Sequence, residues 1–376
     1  MVSSKKLNIL MVMDSFSPGG AQRVVLDLLR AAVADGYKVY LAVSVAKGEL
    51  LQDLPDGIPV FEYGKYRGLH NIFNLKNFFR RVCIFNEIDI IFSNMTQINK
   101  AVLRANFFNR SSPPIFAIEH TNLNRYTNYN NSFWKKLIRP LELSLLYKTA
   151  RGVVAVSDEV ADEVASILKV DRSSIATIHN PISIRPSHQG DPNANRFCRP
   201  NRTFISVGRL EEVKNFPLLI KAFAELKSLR KGYGDRLIIV GGGRQSAALK
   251  RLVSEHRLNE IVEFTGFSRN VREQLLKADF FVSSSRHEGF PLAILEAVNN
   301  GLPCIATPTT GSRELSRYLG CIKQAESQSV SSLSAAMVEA IHDPEFYVSK
   351  SDIKFVESLT PEMVFTRYIK FVKEKI

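Results

Sequence analysis

The chain has 376 residues, 45% of them hydrophobic and 23% charged, which is ordinary for a soluble globular protein and long enough for two domains with cores of their own. No apolar run approaches the roughly 18 residues of a membrane-spanning helix, and the four cysteines (Cys83, Cys198, Cys304, Cys321) follow no paired spacing, so neither a disulfide framework nor a zinc site is expected. The net charge of +13 is uneven: residues 65–151 hold fourteen basic against four acidic side chains, a field that suits an anionic partner such as a lipid head group, a diphosphate or nucleic acid, and equally a solvated basic face.

In chain order, residues 7–13 read as a buried first strand, too short for the core and cleavage site of a signal peptide. The chain is therefore expected to be cytoplasmic, with any membrane contact peripheral. A loop ending in Gly19-Gly20 follows, then apolar residues at helical spacing (Ala21, Val24, Val25, Leu28, Leu29, Ala32) closed by Gly36. The two glycines let backbone N–H groups approach a ligand, or simply make a tight turn. Further apolar strands are predicted at 37–45, 58–63, 88–93, 115–120, 152–157 and 175–179, alternating with helices, the pattern of a parallel sheet covered on both faces. His120 falls at the C-terminal end of one of these, the edge where such sheets bind ligands, just ahead of a loop rich in Asn and Tyr (122–131). Residues 133–139 mix aromatic, apolar and cationic side chains, which suits a helix on a membrane surface or one packed on its own domain. A Pro-, Ser-, Asn- and Gly-rich stretch at 183–201 reads as a linker between a first domain of residues 1–182 and a second starting at 202.

The second half restarts with a strand at 203–207, a loop at 208–215 carrying Arg209 and Lys214, and a helix from Phe216; the two cations are placed to meet a phosphate pair. A strand at 236–240 runs into Gly241, Gly242 and Gly243, a partial dinucleotide fingerprint in which Ser246 takes the third glycine position. After a strand at 261–265, the loop 266–270 with Phe267 offers a seat for a flat base. Next comes a strand at 278–285, and then two carboxylates, Glu288 in a loop and Glu296 on a helix, with Gly289 allowing the turn and Pro291 predicted at the helix's first position. Strand, loop and helix N-terminus in this order form a ligand crevice, and the spacing of the acids suits two contacts along one extended ligand. A strand at 303–307, a loop at 308–314 and a final helix capped by Thr360 with Pro361 complete the chain. No internal repeat is visible, and no Asp-x-Asp pair that would hold a metal.

The Gly19-Gly20 loop, His120, Gly208-Arg209 with Lys214, and Glu288-Gly-Phe-Pro-Leu-Ala-Ile-Leu-Glu296 together closely resemble glycosyltransferase family 4, retaining transferases with a GT-B fold; the likeness is strongest over residues 207–311. The resemblance implies an α/β chain of two Rossmann-like, doubly wound domains facing a cleft: an acceptor domain at 1–182, a sugar-nucleotide domain at 202–358, and a C-terminal helix, 359–376, returning to the first. It further implies that Arg209 and Lys214 bind the donor diphosphate, Glu288 the transferred sugar and Glu296 the ribose. His120 would lie beside the sugar at the reaction centre, and Gly19 and Gly20 near phosphate and acceptor, with Phe267, Phe290, Pro291 and Leu292 completing the donor seat. By the same resemblance the donor is a nucleotide-diphosphate sugar, UDP by preference, no cofactor or metal takes part, and the acceptor is a glycan, lipid-diphosphate-linked or at the cell surface. A peripheral position on the inner, anionic face of a membrane would fit such an acceptor. Rival readings are a nucleotide-sugar epimerase, an NAD-dependent oxidoreductase built on the triple glycine, and a non-catalytic binding protein of the same fold. Nucleic-acid binding lacks a recognition motif.

Overall fold

The computed structural model describes residues 6–64, 69–107, 112–121, 133–184 and 200–376, with only the backbone of 69–72 and 133–138. The chain divides into two compact units: residues 1–183 with 359–376, and residues 184–358.

The first unit holds strands β1 (Asn8–Ser15), β2 (Lys38–Val45), β3 (Val60–Glu62), β4 (Ile90–Asn94), β5 (Ile115–Glu119), β6 (Gly152–Ala155) and β7 (Ile175–Thr177). Their helices are α1 (Gly20–Ala34), α2 (Leu69–Phe85), α3 (Thr96–Asn106), α4 (Phe133–Tyr147) and α5 (Asp158–Leu168). All strand pairs are parallel in the order β3-β2-β1-β4-β5-β6-β7. Runs such as Ile9 to Met13 and Ile115 to Ile118 are apolar on both faces because helices cover both faces of the sheet. Helices α2 to α5 share one core cluster with one face of the sheet.

The second unit holds β8 (Thr203–Val207), β9 (Arg236–Val240), β10 (Val262–Gly266), β11 (Phe280–Ser283), β12 (Cys304–Ala306) and β13 (Ile322–Gln324), again all parallel, in the order β10-β9-β8-β11-β12-β13. Its helices are α6 (Phe216–Leu229), α7 (Ser246–Glu255), α8 (Val271–Leu275), α9 (Leu292–Asn299), α10 (Thr310–Leu315), α11 (Val330–His342) and α12 (Lys350–Glu357). The last helix, α13 (Pro361–Lys375), belongs to the first unit. It packs on α1 and sets Phe365 against Tyr37, Tyr368 against Phe92 and Phe371 against Phe116, with ring centroids 5.2, 5.6 and 5.9 Å apart. Ile182 N–H donates to the Leu359 carbonyl at 2.8 Å, so this unit is entered twice by the chain.

Local differences from the sequence reading have plain causes. Pro291 is the N-cap rather than the first helical residue, with ψ 94°, and α9 starts at Leu292. The segment 308–314, expected as a loop, contains α10, started by a reciprocal cap between Thr309 and Ser312. Helices α11 and α12 have no counterpart in the sequence reading; Ser329 and Ser349 cap them within serine-rich stretches that read as loop. Strand β5 ends at Glu119, so His120 is the first residue beyond it. The predicted loop 122–131, the side chains of 133–138 and most of the linker lie outside the described residues.

Candidate active site

In each sheet the strand order reverses once, between β1 and β4 and between β8 and β11, and the crevice at the C-terminal ends of two such strands is where open α/β sheets bind ligands. Polar groups gather at both places.

In the second unit, the loop after β8 carries Arg209 and Lys214 and the loop after β11 carries Glu288. Lys214 Nζ lies 2.5 Å from Glu288 Oε1, with the two side chains 24% and 16% exposed. The same oxygen accepts from Ser285 Oγ at 2.8 Å, while Oε2 has no partner among the described residues. Ser284 Oγ donates to the Lys214 carbonyl at 2.9 Å and Arg286 N–H to the Val213 carbonyl at 2.8 Å, which fasten the two loops together. From the other side, Thr310 Oγ1 and the Gly311 N–H donate to the Glu288 carbonyl at 2.6 and 2.8 Å. A Cβ on Gly311 would stand 2.6 Å from Pro291 Cδ and 2.8 Å from the Gly289 carbonyl oxygen, so only glycine allows α10 to approach this closely. Arg209 is exposed and its guanidinium has no ion-pair partner among the described residues.

The three glycines after β9 serve this loop. Leu210 N–H donates to the Gly242 carbonyl at 2.8 Å; a Cβ on Gly241, at φ +146°, would sit 1.9 Å from the Gly208 carbonyl oxygen, and one on Gly243, at φ +155°, 2.6 Å from that of Leu210. The triple glycine is thus a backbone seam against residues 208–210. Phe267, 46% exposed, follows β10 beside Gly242. Phe290 and Pro291 are buried, Leu292 is half-buried at the start of α9, and Glu296, also half-buried, comes one turn later.

In the first unit, Gly19 is the N-cap of α1 in an extended conformation and Gly20 its exposed first residue, so the free N–H groups of that helix end lie at the C-terminal edge of β1. Neither glycine needs a positive φ, and the side chain that would meet a Cβ on Gly19 is the flexible end of Gln22. His120 is buried, with Nε2 3.2 Å from Asn94 Oδ1 at the end of β4. Burial pushes its imidazole down to about 4, against a small upward pull from the nearby Asn180 amide, so the ring is neutral at pH 7. Nδ1 of His120 and Oδ1 of Asn180 are nonetheless both buried without a hydrogen bond of good geometry. The preceding residue, fully buried Glu119, accepts from Thr96 Oγ1 at 2.6 Å, from Asn99 Nδ2 at 2.8 Å and from the Tyr147 hydroxyl. Burial outweighs these donors and raises its carboxyl to about 7.

The structure therefore brings Lys214 and Glu288 together, with Arg209 in the same loop, and sets His120 at its sheet edge. The sequence points to none of residues 284, 285, 310 and 311, which hold Glu288, nor to Asn94, Glu119 and Asn180 around His120; the serine run before Glu288 is the one signal, and it reads as strand. Among the described residues no three His, Cys, Asp or Glu side chains converge as a metal site.

Two parallel, doubly wound units of this kind define an α/β protein of the GT-B type. The model described as Glycosyltransferase Family 4 matches residues 18–185 and that described as Glycosyl transferases group 1 matches residues 191–352; the chain belongs to this family of glycosyltransferases. It is 24% identical over 347 residues to an uncharacterized glycosyltransferase of Haemophilus influenzae, covering 91% of this chain and 92% of that one. It is 26% identical over 311 residues to the N-acetylgalactosamine-N,N'-diacetylbacillosaminyl-diphospho-undecaprenol 4-alpha-N-acetylgalactosaminyltransferase of Campylobacter jejuni, with coverage of 80% and 81%. The crystal structure of Anabaena HepE in complex with UDP and glucose superposes with a TM-score of 0.77 at 18% identity, covering 98% of this chain and 100% of that one.

Proposed function

We propose that this glycosyltransferase takes its sugar from a nucleoside diphosphate donor, a UDP-sugar, retains the anomeric configuration, and delivers to a glycan acceptor carried on a lipid diphosphate. The observation that carries the reading is the Lys214–Glu288 pair at the β8/β11 switch point: an ammonium with donors to spare for phosphate beside a carboxylate oxygen open to a sugar hydroxyl. In this reading Arg209 and Lys214 hold the diphosphate, Glu288 the transferred sugar, Glu296 the ribose, and Phe267 borders the base. His120, Gly19 and Gly20 serve the sugar, phosphate and acceptor from the first unit. The UDP complexes of the structural neighbour and the diphospho-undecaprenol acceptor in the name of the Campylobacter relative support the choice of donor and acceptor.

As the anomeric C–O bond breaks, its electron pair passes to the diphosphate, where fixed positive groups stabilise the developing charge. The acceptor hydroxyl attacks from the same face and its proton goes to the departing phosphate oxygen, so no separate carboxylate base and no metal is called for. An NAD-dependent reading draws no support from Gly241 and Gly243, whose open space is taken up by the backbone of Gly208 and Leu210.

Thermal-shift titration with UDP, GDP, ADP and NAD tests the donor class. UDP is expected to stabilise the protein; stabilisation by NAD alone would overturn the reading. With a turnover assay in hand, activity that survives a chelator and an α-linked product from an α-linked donor are the further expectations.

A further inference from the structure

Of the three site residues in the first unit, only His120 carries a side chain, and its ring is held from the neighbouring strand. Asn94, the last residue of β4, lies opposite Ile118 of β5, and the Ile118 carbonyl accepts from both the Met95 N–H and Asn99 Nδ2 at 3.0 Å, which ties the two strand ends together. Met95 is held there at φ +74°, a conformation that costs a residue with a side chain, so the turn out of β4 is kept against backbone strain. Buried Asn94 reaches across the β1/β4 switch point, where its Nδ2 donates to the Val12 carbonyl at 3.2 Å. That contact sets the direction of the amide, since turning it over would bring two oxygens face to face. Asn94 Oδ1 is therefore the atom that meets His120 Nε2, at 3.2 Å. An amide oxygen only accepts, so the proton sits on Nε2, and in the uncharged ring Nδ1 is left with its lone pair. The ring's other polar neighbour is the Asn180 side chain, and Nδ1 and Asn180 Oδ1 are both buried and unpaired. A half-turn of the Asn180 amide brings its NH2 group to Nδ1 and pairs it. Glu119, adjacent in sequence, has its partners on α3 and α4.

We propose that Asn94 is the positioning residue of His120, fixing the ring proton on Nε2 while Asn180 donates to Nδ1, so that both ring nitrogens are engaged by the protein and neither exchanges a proton with substrate. The hydrogen bonds then all run one way, from the Asn180 amide through the imidazole and the Asn94 amide to the Val12 carbonyl, and donors aligned in this manner polarise one another. His120 contributes a fixed orientation and the dipole of its ring, and no acid or base. The effect on turnover rests on the reading that sets His120 at the reaction centre; the placement of the protons stands without it.

Nitrogen NMR of the full-length protein labelled in histidine tests it, with the His120 signals assigned by their loss in His120→Gln. In wild type at neutral pH, Nε2 is expected to carry the proton and Nδ1 to be bare. Asn94→Leu removes the acceptor at similar volume, so it should mix the two tautomers or move the proton to Nδ1. Its kcat should fall roughly tenfold, the worth of one hydrogen bond, while the thermal shift induced by UDP stays as in wild type. Asn94→Asp is the rescuing variant: burial keeps the new carboxyl protonated, so it still accepts from Nε2 and donates to the Val12 carbonyl. It should retain the wild-type tautomer and most of the turnover. A wild-type proton on Nδ1, an Asn94→Leu ring with the tautomer unchanged, or an Asn94→Asp variant as impaired as Asn94→Leu would each overturn the proposal. Full turnover in His120→Gln would instead remove His120 from the reaction and leave the NMR result standing.

Discussion

Lys214 and Glu288, 74 residues apart in sequence, share a 2.5 Å ion pair because β8 and β11 are neighbours in the sheet and each runs into its loop at the same edge. Removing either partner separates their roles. Lys214→Ala should weaken UDP binding by about 1 to 3 kcal/mol, the usual worth of a charged hydrogen bond, measurable by calorimetry. Glu288→Gln keeps the contact with Ser285 and should lower turnover by roughly 10² to 10³ with a smaller effect on nucleotide affinity. Glu296→Ala should do the opposite, weakening donor binding more than turnover. Equal loss of binding in the two glutamate variants would contradict the assignment.

Two glycine positions give a sharper spatial test. Gly311→Ala puts a methyl group 2.8 Å from the Gly289 carbonyl oxygen, and Gly241→Ala puts one 1.9 Å from that of Gly208 at φ +146°. Backbone must move in both cases, displacing the Glu288 loop in the first and the Arg209 loop in the second. Each variant is expected to lose about 1 to 3 kcal/mol of stability, and to lose UDP response more completely than its melting temperature implies. The same substitution at Gly19, which meets only a flexible glutamine, should leave the melting temperature nearly unchanged.

How much of this was legible beforehand follows from what each feature depends on. Strands at 203–207 and 236–240 and the start of α6 at Phe216 were read to the residue, because buried parallel strands are continuous apolar runs cut off by glycine-rich loops. The Thr360–Pro361 helix start was legible because a capping hydroxyl followed by proline is a local signal. The spacing of Glu288 and Glu296 was also visible. That Lys214 stands beside Glu288 was implied only by the family resemblance, since no local pattern shows it and Lys214 reaches Glu288 through the strand order β9-β8-β11. The neighbours of His120, which come from the ends of β4 and β7 by sheet register, were not visible. Gly311 falls in a segment that reads as loop; it is helical, and its reason is the backbone of Gly289 pressed against it.

The C-terminal helix makes a prediction about folding. Phe365, Tyr368 and Phe371 lie in aromatic contact with Tyr37, Phe92 and Phe116, so truncation before Leu359 would bare the face of the first sheet. The truncated chain is expected to be insoluble, or to expose apolar surface to a hydrophobic dye. Within the helix, Tyr368 buries its hydroxyl without a partner. Tyr368→Phe removes that desolvated group and keeps the ring, so stability should stay within about 1 kcal/mol of wild type or rise, whereas Tyr368→Ala should cost about 3 to 5 kcal/mol. Chemical denaturation of the two variants checks both.

Glu119 and His120, consecutive in the chain, titrate in opposite senses. Burial raises the carboxyl from 4.5 to about 7, so over that range the folded protein keeps a proton that the unfolded chain releases; this stabilisation is complete below pH 4.5 and is lost as pH rises toward 7. Burial lowers the imidazole from 6.5 to about 4, so over that range the unfolded chain takes up a proton that the folded one refuses; this contribution is complete above pH 6.5 and is lost as pH falls toward 4. Each is worth up to ~3 kcal/mol over nearly the same window, and their slopes cancel in wild type. Glu119→Gln leaves only the histidine slope, so its melting temperature should fall more steeply than wild type on acidification from pH 6.5 toward 4.5. His120→Asn leaves only the carboxyl slope and should become more stable relative to wild type over the same change. Melting curves across that range decide it: a Glu119→Gln profile parallel to wild type would mean that Glu119 is already ionised in the folded protein, with Thr96, Asn99 and Tyr147 holding the charge.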